Sequence, residues 1–311
     1  MISIVVPMMN EEAGLPALFD VLIPICRDMG PFEIIAVNDG SSDTTLDILV
    51  QYQQRIPELA IVDLSRNFGK EAALIAGLAH CSGAVAITMD ADLQHPPEYI
   101  PEMLGKWHDG YEIVSAVRED RQIETFTKRL TATYFYKIFN KISEVKIMQG
   151  EGDFRLLDRK AIDALLTLPE RARFNKGLFN WIGFRLCHIY HPLRERSAGE
   201  TKWDYRKLLR FAIDGFISFS SLPLKIWTHI GLMCSFSAIV YAIYVFIKTL
   251  IIGSEIPGYP TIIIAIFFMG GLILSGIGIL GEYISRIFEE TKQRPLYIVR
   301  QFHRPETEEE K

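Results

Sequence analysis

The 311-residue sequence predicts an α/β protein: a mainly parallel sheet domain, then amphipathic helices for a membrane interface, then a C-terminal two-helix transmembrane hairpin. Three observations carry this reading. Short β-branched runs alternate with helical segments as far as residue 120, the rhythm of a parallel sheet with helices on both faces. Three of those runs end in polar clusters, Asn10-Glu11-Glu12, Asn38-Asp39-Gly40 and Asp90-Ala91-Asp92. Two long stretches after residue 228 carry no charge.

The elements follow in order. "ISIVVP" (2–7) reads as a strand and "EAGLPALFDVLIPICRDM" as a helix. "FEIIAVND" (32–39) is a second strand, and "TTLDILVQYQQRI" has apolar residues at helical spacing. "LAIVDLS" (59–65) is a third strand, "KEAALIAGLAHC" a helix and "AVAITMD" (84–90) a fourth strand. In such sheets ligands collect at the carboxyl ends of the strands, where the three polar clusters fall.

Residues 121–228 are less regular and more basic. "FTKRLTATYFYKIFNKIS" (126–143) sets Leu130, Tyr134, Phe135, Ile138, Phe139 and Ile142 on one face, with Lys128, Arg129, Lys137 and Lys141 as its charge. That pattern fits a helix lying in a membrane interface and a helix packed on the sheet equally well. "YRKLLRFAIDGFISFSSLPLKIW" (205–227) is similar and runs straight into the apolar region, which favours the interface.

Residues 230–247 are 18 residues without a charge, and 261–281 are 21. At ~1.5 Å per residue each spans roughly 27–32 Å, about one hydrocarbon core. They predict a transmembrane hairpin, with a buried core pair as the alternative. The intervening "GSEIPGYP" has no Lys or Arg, whereas Arg206, Lys207, Arg210 and Lys225 precede the first span and Arg286, Lys292, Arg294, Arg300 and Arg304 follow the second. The positive-inside rule then places both termini in the cytoplasm, in a multi-pass protein of the inner (cytoplasmic) membrane. The expected divisions are a cytosolic domain over 1–204, a juxtamembrane segment over 205–228, a hairpin over 229–285 with spans near 230–250 and 261–281, and a cytoplasmic tail over 286–311. The end, "PETEEEK", is expected to be disordered. The stretch "GGLILSGIGILG" allows close helix packing, and a homo-oligomer is expected.

Composition narrows the classes. Hydrophobic residues make up 49% of the chain and mean hydropathy is +0.15, an excess concentrated after residue 228. A net charge of −5 argues against a general nucleic-acid binder. Cys26, Cys81, Cys187 and Cys234 form no CxxC pair and read as small buried hydrophobes, not as a disulfide frame or zinc site. The N-terminus lacks a basic leader and reads as a strand, not a signal peptide.

Five segments carry candidate chemistry. "DADLQ" (90–94) ends a strand with paired carboxylates, which suits a hard divalent cation shared with substrate phosphates, although many surface loops contain Asp-x-Asp. Like charges so close repel, and a metal, a nearby arginine or bulk water alone could offset them. In "NDGSSDTT" (38–45), Gly40 permits a tight turn, Ser41 or Ser42 could cap the next helix, and Asp39 would face the crevice. In "SRNFGKEAAL" (65–74), Lys70 opens a helix where backbone N–H groups and an ammonium could meet a diphosphate; taken alone, the segment is better explained by a solvent-exposed lysine. "GEGDFRLLDR" (150–159) sets Asp153 beside Arg155. "LRERSAGETKW" (193–203) holds Arg194, Arg196 and Lys202, which suit an anionic headgroup or an ordinary solvated loop.

Together, "VVPMMNEE", "NDGSSDTT", "RNFGKEAAL", "DADLQHPPE", "GDFRLLDR" and "GETKW" stand in the order that resembles the polyprenyl-phosphate glycosyltransferases of family 2, GT-A type. "GDFRLLDR", "LPERARFNKG" and "GEYISRIF" look most like bactoprenol glucosyltransferases of the O-antigen-modifying type. The resemblance covers about residues 2–300. It implies a GT-A, Rossmann-like domain in which Pro7, Asn10, Glu11 and Asp39 line the nucleotide pocket and Lys70 lies near the diphosphate. Asp90 would contact the donor, while Asp92 and Gln94 would ligate Mg²⁺ or Mn²⁺. Asp153 would stand at the reaction centre, making Asp90, Asp92 and Asp153 the catalytic set. Arg118, Arg129, Arg196 and Lys202 would grip the acceptor phosphate. The implied reaction is inverting, metal-dependent transfer of glucose from UDP-glucose to undecaprenyl phosphate at the cytoplasmic face. Transfer from GDP-mannose, as in dolichyl-phosphate mannose synthases, is the alternative. Outside enzymes, the alternative is a sugar-nucleotide-binding accessory subunit of a lipid flippase.

Overall fold

The computed structural model describes residues 1–118, 140, 145–146, 148, 150–171, 173–192, 222–252 and 258–304. The amphipathic segment 126–143, most of 205–227 and the end from 305 therefore lie almost wholly outside the described residues. The chain divides into two units: Met1–Gly215 with Arg294–Lys311, and Phe216–Gln293.

The first unit is built on the predicted alternation. Ile2–Met8 (β1) pairs in parallel with Phe32–Asn38 (β2) on one side and Val85–Thr88 (β4) on the other, and β2 pairs in parallel with Leu59–Leu64 (β3). These strands are almost continuously buried, as expected where crossover helices cover a sheet. The crossovers are Leu15–Asp28 (α1), Thr45–Gln53 (α2) and Lys70–His80 (α3). The first half of α3 is mostly Ala and Leu, which lets it lie close against β1 and β2.

Beyond residue 95 the sheet changes direction. Ile100–His108 (α4) leads into Ile113–Arg118 (β5), and Glu151–Asp158 (β6) then inserts antiparallel between β4 and β5. Arg159–Thr167 (α5) and Asn175–Trp181 (α6) follow, and Leu186–His191 (β7) pairs in parallel with β5. The sheet order is β7-β5-β6-β4-β1-β2-β3-β8. The last strand, Val299–His303 (β8), is antiparallel to β3. Within the segment 286–311, expected to be a tail, Val299–His303 thus returns to the sheet edge. The Arg300 guanidinium donates to Ser65 O at 2.7 Å and stands 3.5 Å from the Asp63 carboxylate, while Gln53 Nε2 donates to His303 O.

Strand β6 escapes a hydropathy reading because Glu151, Asp153 and Arg155 interrupt it. Glu151 and Arg155 form an internal ion pair: both side chains are fully buried, with Arg155 Nη2 3.0 Å from Glu151 Oε1. The guanidinium lies 4.6 Å from the Phe179 ring centre.

The second unit is a pair of helices, Leu222–Ile252 (α7) and Tyr259–Thr291 (α8). Within it, Ala265–Thr291 is long and apolar enough to cross a membrane, with a mean hydropathy of 1.8 and only 6% of its apolar window buried. A soluble core helix would be mostly buried. Phe236, Leu250, Phe267 and Leu274 are among the exposed large side chains. Gly276 serves the hairpin itself, since a Cβ there would stand 2.0 Å from Trp227 Nε1, whereas Cβ atoms at Gly270, Gly271, Gly278 and Gly281 would meet nothing within 4 Å.

The buried pair in β6 makes a pH-dependent contribution. Burial alone would raise the Glu151 carboxyl, but the neighbouring His188 ring, Arg155 guanidinium and Ser115 hydroxyl hold it down at about 2, below its ordinary 4.5. Its stabilisation is therefore complete above pH 4.5 and lost as pH falls toward 2. Glu151→Ala should cost about 3 kcal/mol in chemical denaturation near neutrality, because it strands a buried guanidinium. The gap between wild type and Glu151→Gln should close as pH falls through that window; a pH-independent gap would contradict the assignment.

Candidate active site

The carboxyl ends of β1, β2, β3 and β4 share one edge of the sheet, and the polar clusters gather there. "NEE" and "SSDTT" prove to be two halves of one structure. Asn10, at φ 55°, accepts through Oδ1 from Ser42 N at 2.8 Å, and its own N–H donates to Ser41 Oγ at 3.0 Å. Glu11 N donates to Thr45 Oγ1, and Glu12 Oε2 accepts from Thr44 N and Thr44 Oγ1. Ser41 and Ser42 thus serve the neighbouring loop and do not cap α2, whose N-cap, Thr44, makes no side-chain cap bond. Pro7 lies half-buried near the end of β1, opposite Val37.

Asp39 is 4% exposed. Its two oxygens accept from the backbone N–H groups of Phe68 at 2.7 Å and Gly69 at 2.9 Å. Burial pushes the carboxyl up in spite of those bonds and of nearby Arg66. Asp39 stands at the expected edge, and there it anchors the turn that delivers Lys70.

The centre of the site is an ion cluster. In the β4–β6 register Thr88 faces Arg155, and Thr88 Oγ1 donates to Asp153 O at 2.5 Å. Continuing that antiparallel register brings Asp90 level with Asp153. Lys70 Nζ, at the first residue of α3, lies 2.6 Å from Asp90 Oδ1 and 2.5 Å from Asp153 Oδ2. The lysine side chain is 42% exposed and the two carboxylates 23% and 15%, so the cluster is open to a ligand from one side. Burial opposes the charge on Lys70, but Asp153 and Asp90 outweigh it and keep the ammonium protonated. Burial would likewise raise Asp153, yet Lys70, then Lys176, hold it well below the usual carboxylate range. Asp90 moves the other way: burial, Asp153 and Asp92 together outweigh Lys70. The group that meets Asp90 is therefore a lysine, neither an arginine nor bulk water alone.

Asp92 and Gln94 form a separate turn. Gln94 N donates to Asp92 Oδ1 at 3.1 Å, with Leu93 at φ 56°. Both side chains are half-buried. A carboxylate and an amide oxygen on one turn are hard donors of the kind Mg²⁺ or Mn²⁺ takes. Among the described residues no group of three or more His, Cys, Asp or Glu could hold a metal. Asp92 and Gln94 thus fit part of a coordination sphere whose remaining ligands come from elsewhere, as they do when substrate phosphates supply them.

Arg118 closes β5, and its Nη2 lies 3.1 Å from His95 Nε2, one residue beyond Gln94. Arg129, Arg196 and Lys202 lie outside the described residues. Sequence reasoning missed Glu71, His95 and His191. Burial, followed by the charge of Asp153, raises the Glu71 carboxyl to about 7 against the Asn175 N–H, Lys176 and Lys70. Asn175 N donates to Glu71 Oε2 at 2.9 Å. "FNKG" was thus a partner of "GKEA", a pairing invisible along the chain.

Residues 3–166 match the family model for glycosyl transferase family 2, and residues 222–287 match a GtrB C-terminal hairpin. An uncharacterized glycosyltransferase of Synechocystis is 48% identical, the alignment covering 96% of this chain and 94% of that protein. A prophage-derived bactoprenol glucosyl transferase of Shigella flexneri is 42% identical, over 97% of this chain and 98% of that one. Among solved structures, glucosyl-3-phosphoglycerate synthase from Mycobacterium tuberculosis, in complex with Mn²⁺ and UDP-glucose, aligns at a TM-score of 0.45 and 18% identity. That alignment covers 68% of this chain and 75% of the other. At that distance the likeness says nothing about ligands.

The ion cluster is testable by a double-mutant cycle. Lys70→Met should destabilise the sheet domain by about 1 kcal/mol, the partial exposure of the lysine keeping the figure small. Adding Asp90→Asn should recover most of that loss, because one of the facing charges is gone. Additive losses in denaturant titrations would contradict the cluster.

Proposed function

This chain belongs to glycosyl transferase family 2, and from that premise we propose that it transfers glucose from UDP-glucose to undecaprenyl phosphate at the cytoplasmic face of the membrane. The product is polyprenyl-phosphate-glucose for cell-surface polysaccharide modification. The observation that carries this reading is the Lys70 bridge between Asp90 and Asp153, set beside the Asp92–Gln94 turn on the ligand edge of a GT-A-like sheet. The name carried by the Shigella flexneri relative supports glucose and bactoprenol as the transferred sugar and acceptor.

The residues divide the work. Pro7, Asn10, Glu11 and Asp39 form the nucleotide edge. A divalent cation held by Asp92 and Gln94 would offset the charge that develops on the departing diphosphate. The Lys70 ammonium, kept protonated by its two carboxylates, adds a second positive charge there. Asp90 faces the donor. The acceptor is a phosphate monoester whose second pKa is ~6, so it is mostly an anion at neutral pH and needs no strong base. Asp153 suits that chemistry: held ionised by Lys70 and Lys176, it is a poor proton acceptor and serves to orient the acceptor. Arg118, Arg129, Arg196 and Lys202 grip the phosphate. Direct displacement inverts the anomeric centre and gives a β-linked lipid.

The C-terminal hairpin associates with the membrane, and this reading makes it a multi-pass anchor of the inner membrane with both termini cytoplasmic. The active domain then works where the lipid phosphate lies, in a homo-oligomer.

Purified full-length protein given UDP-glucose, Mg²⁺ and undecaprenyl phosphate should yield a lipid heavier by one hexose, β-linked. Transfer from GDP-mannose alone would replace the donor, retained configuration would reject single displacement, and no product from any donor would favour an accessory binding subunit. Asp92→Ala should lower turnover roughly 100-fold or more while still reaching the membrane. Full activity in that variant, or in EDTA, would sink the metal assignment.

A further inference from the structure

Behind the Asp92–Gln94 turn lies a chain of three hydrogen bonds that runs in one direction. Arg118 Nη2 lies 3.1 Å from His95 Nε2, His95 Nδ1 lies 3.2 Å from His191 Nε2, and His191 Nδ1 lies 2.9 Å from Pro192 O. Both rings are buried, at 1% and 0% exposure. A guanidinium can only donate and a carbonyl can only accept. His95 Nε2 must therefore be a lone pair, which puts the ring's proton on Nδ1, aimed at His191 Nε2. From the other end, Pro192 O requires the His191 proton on Nδ1, which leaves Nε2 free to accept. The two ends independently demand the same tautomers.

The surroundings leave the His95 ring little freedom. It lies against the backbone of β6 at Gly152, where a Cβ would stand 2.8 Å from His95 Cε1 and 3.0 Å from Nε2. Phe154 packs 5.5 Å from its ring centre. Gly152 immediately precedes Asp153, and His95 immediately follows Gln94. One imidazole thus touches the strand that carries the reaction-centre carboxylate and the turn that carries the metal-type donors, and it receives the hydrogen bond of Arg118.

We propose that His95 and His191 are positioning residues for the acceptor phosphate. They commit one N–H of the Arg118 guanidinium and present the remaining fork to the phosphate at a set angle from the Asp92–Gln94 turn. An arginine held this way gives up less rotamer freedom when its anion arrives. The inference rests on the acceptor role assigned to Arg118 under the proposed function.

The test uses the full-length protein in detergent or nanodiscs, with separate KM values for undecaprenyl phosphate and UDP-glucose. His95→Phe keeps the ring's bulk and removes both hydrogen bonds; it should raise the lipid KM roughly tenfold and leave the UDP-glucose KM within about twofold. His191→Phe, away from the metal-type turn, should raise the lipid KM roughly threefold. His95→Gln, which keeps one acceptor and one donor, should recover most of the loss. UDP binding and thermal melting report whether each variant folds. An unchanged lipid KM in both Phe variants overturns the inference, and so does a His95→Phe effect that falls equally on both substrates. Arg118→Gln separates the two layers. If it leaves the lipid KM alone, the acceptor role of Arg118 fails and the inference with it. If it raises the lipid KM while the His variants do not, only the inference fails.

Discussion

One ammonium and two carboxylates sit where three parts of the fold meet. Lys70 begins α3, Asp90 follows β4, and Asp153 lies near the start of β6. Without a cation, the β4–β6 register would press two half-buried carboxylates together. The lysine removes that repulsion, and the carboxylates in return keep the lysine charged in a site that would otherwise favour its neutral form. Much of the neighbouring geometry serves to deliver Lys70 to this point. Asp39 holds the 68–69 turn ahead of it, and Glu71 locks the start of α3 to Asn175.

The site also depends on a reversal in the sheet. A wholly parallel sheet offers only the carboxyl ends of its strands on the ligand edge. Because β6 runs against β4, its amino end reaches that edge too and brings Gly152 and Asp153 to the Asp90–Gln94 turn. The parallel half therefore brings Asp39 and Lys70 to this edge, and the antiparallel strand β6 adds Asp153. The buried Glu151–Arg155 pair and the His95–His191 chain make up the polar underside of that insertion.

The parallel half was legible in the sequence because each strand is buried on both faces and reads as an unbroken apolar run. The placing of the loop motifs at the carboxyl ends of β2 and β4 was legible as well, since "NDGSSDTT" and "DADLQH" set turn and charged residues directly after apolar runs. What stayed hidden was long-range. Charged residues in β6 masked a central strand, and the polar "VRQFH" of β8 looked like tail. Ser41 and Ser42 read as helix caps because their partner, Asn10, lies 31 and 32 residues away. His95 drew no reading because its partners, Arg118 and His191, lie 23 and 96 residues away in the chain.

The returning β8 strand changes what the C-terminal region does. A cut before the hairpin would remove both the membrane segment and the strand that covers the β3 edge, along with the Arg300 contacts to Asp63 and Ser65. In the proposed reaction the departing diphosphate depends on the charge at position 70. The most direct test of that dependence is the transfer rate of Lys70→Met with saturating UDP-glucose, Mg²⁺ and undecaprenyl phosphate. A fall in kcat of roughly 100-fold or more, with the UDP-glucose KM changed only a few-fold, is the predicted result. A variant that turns over like the wild type would contradict it.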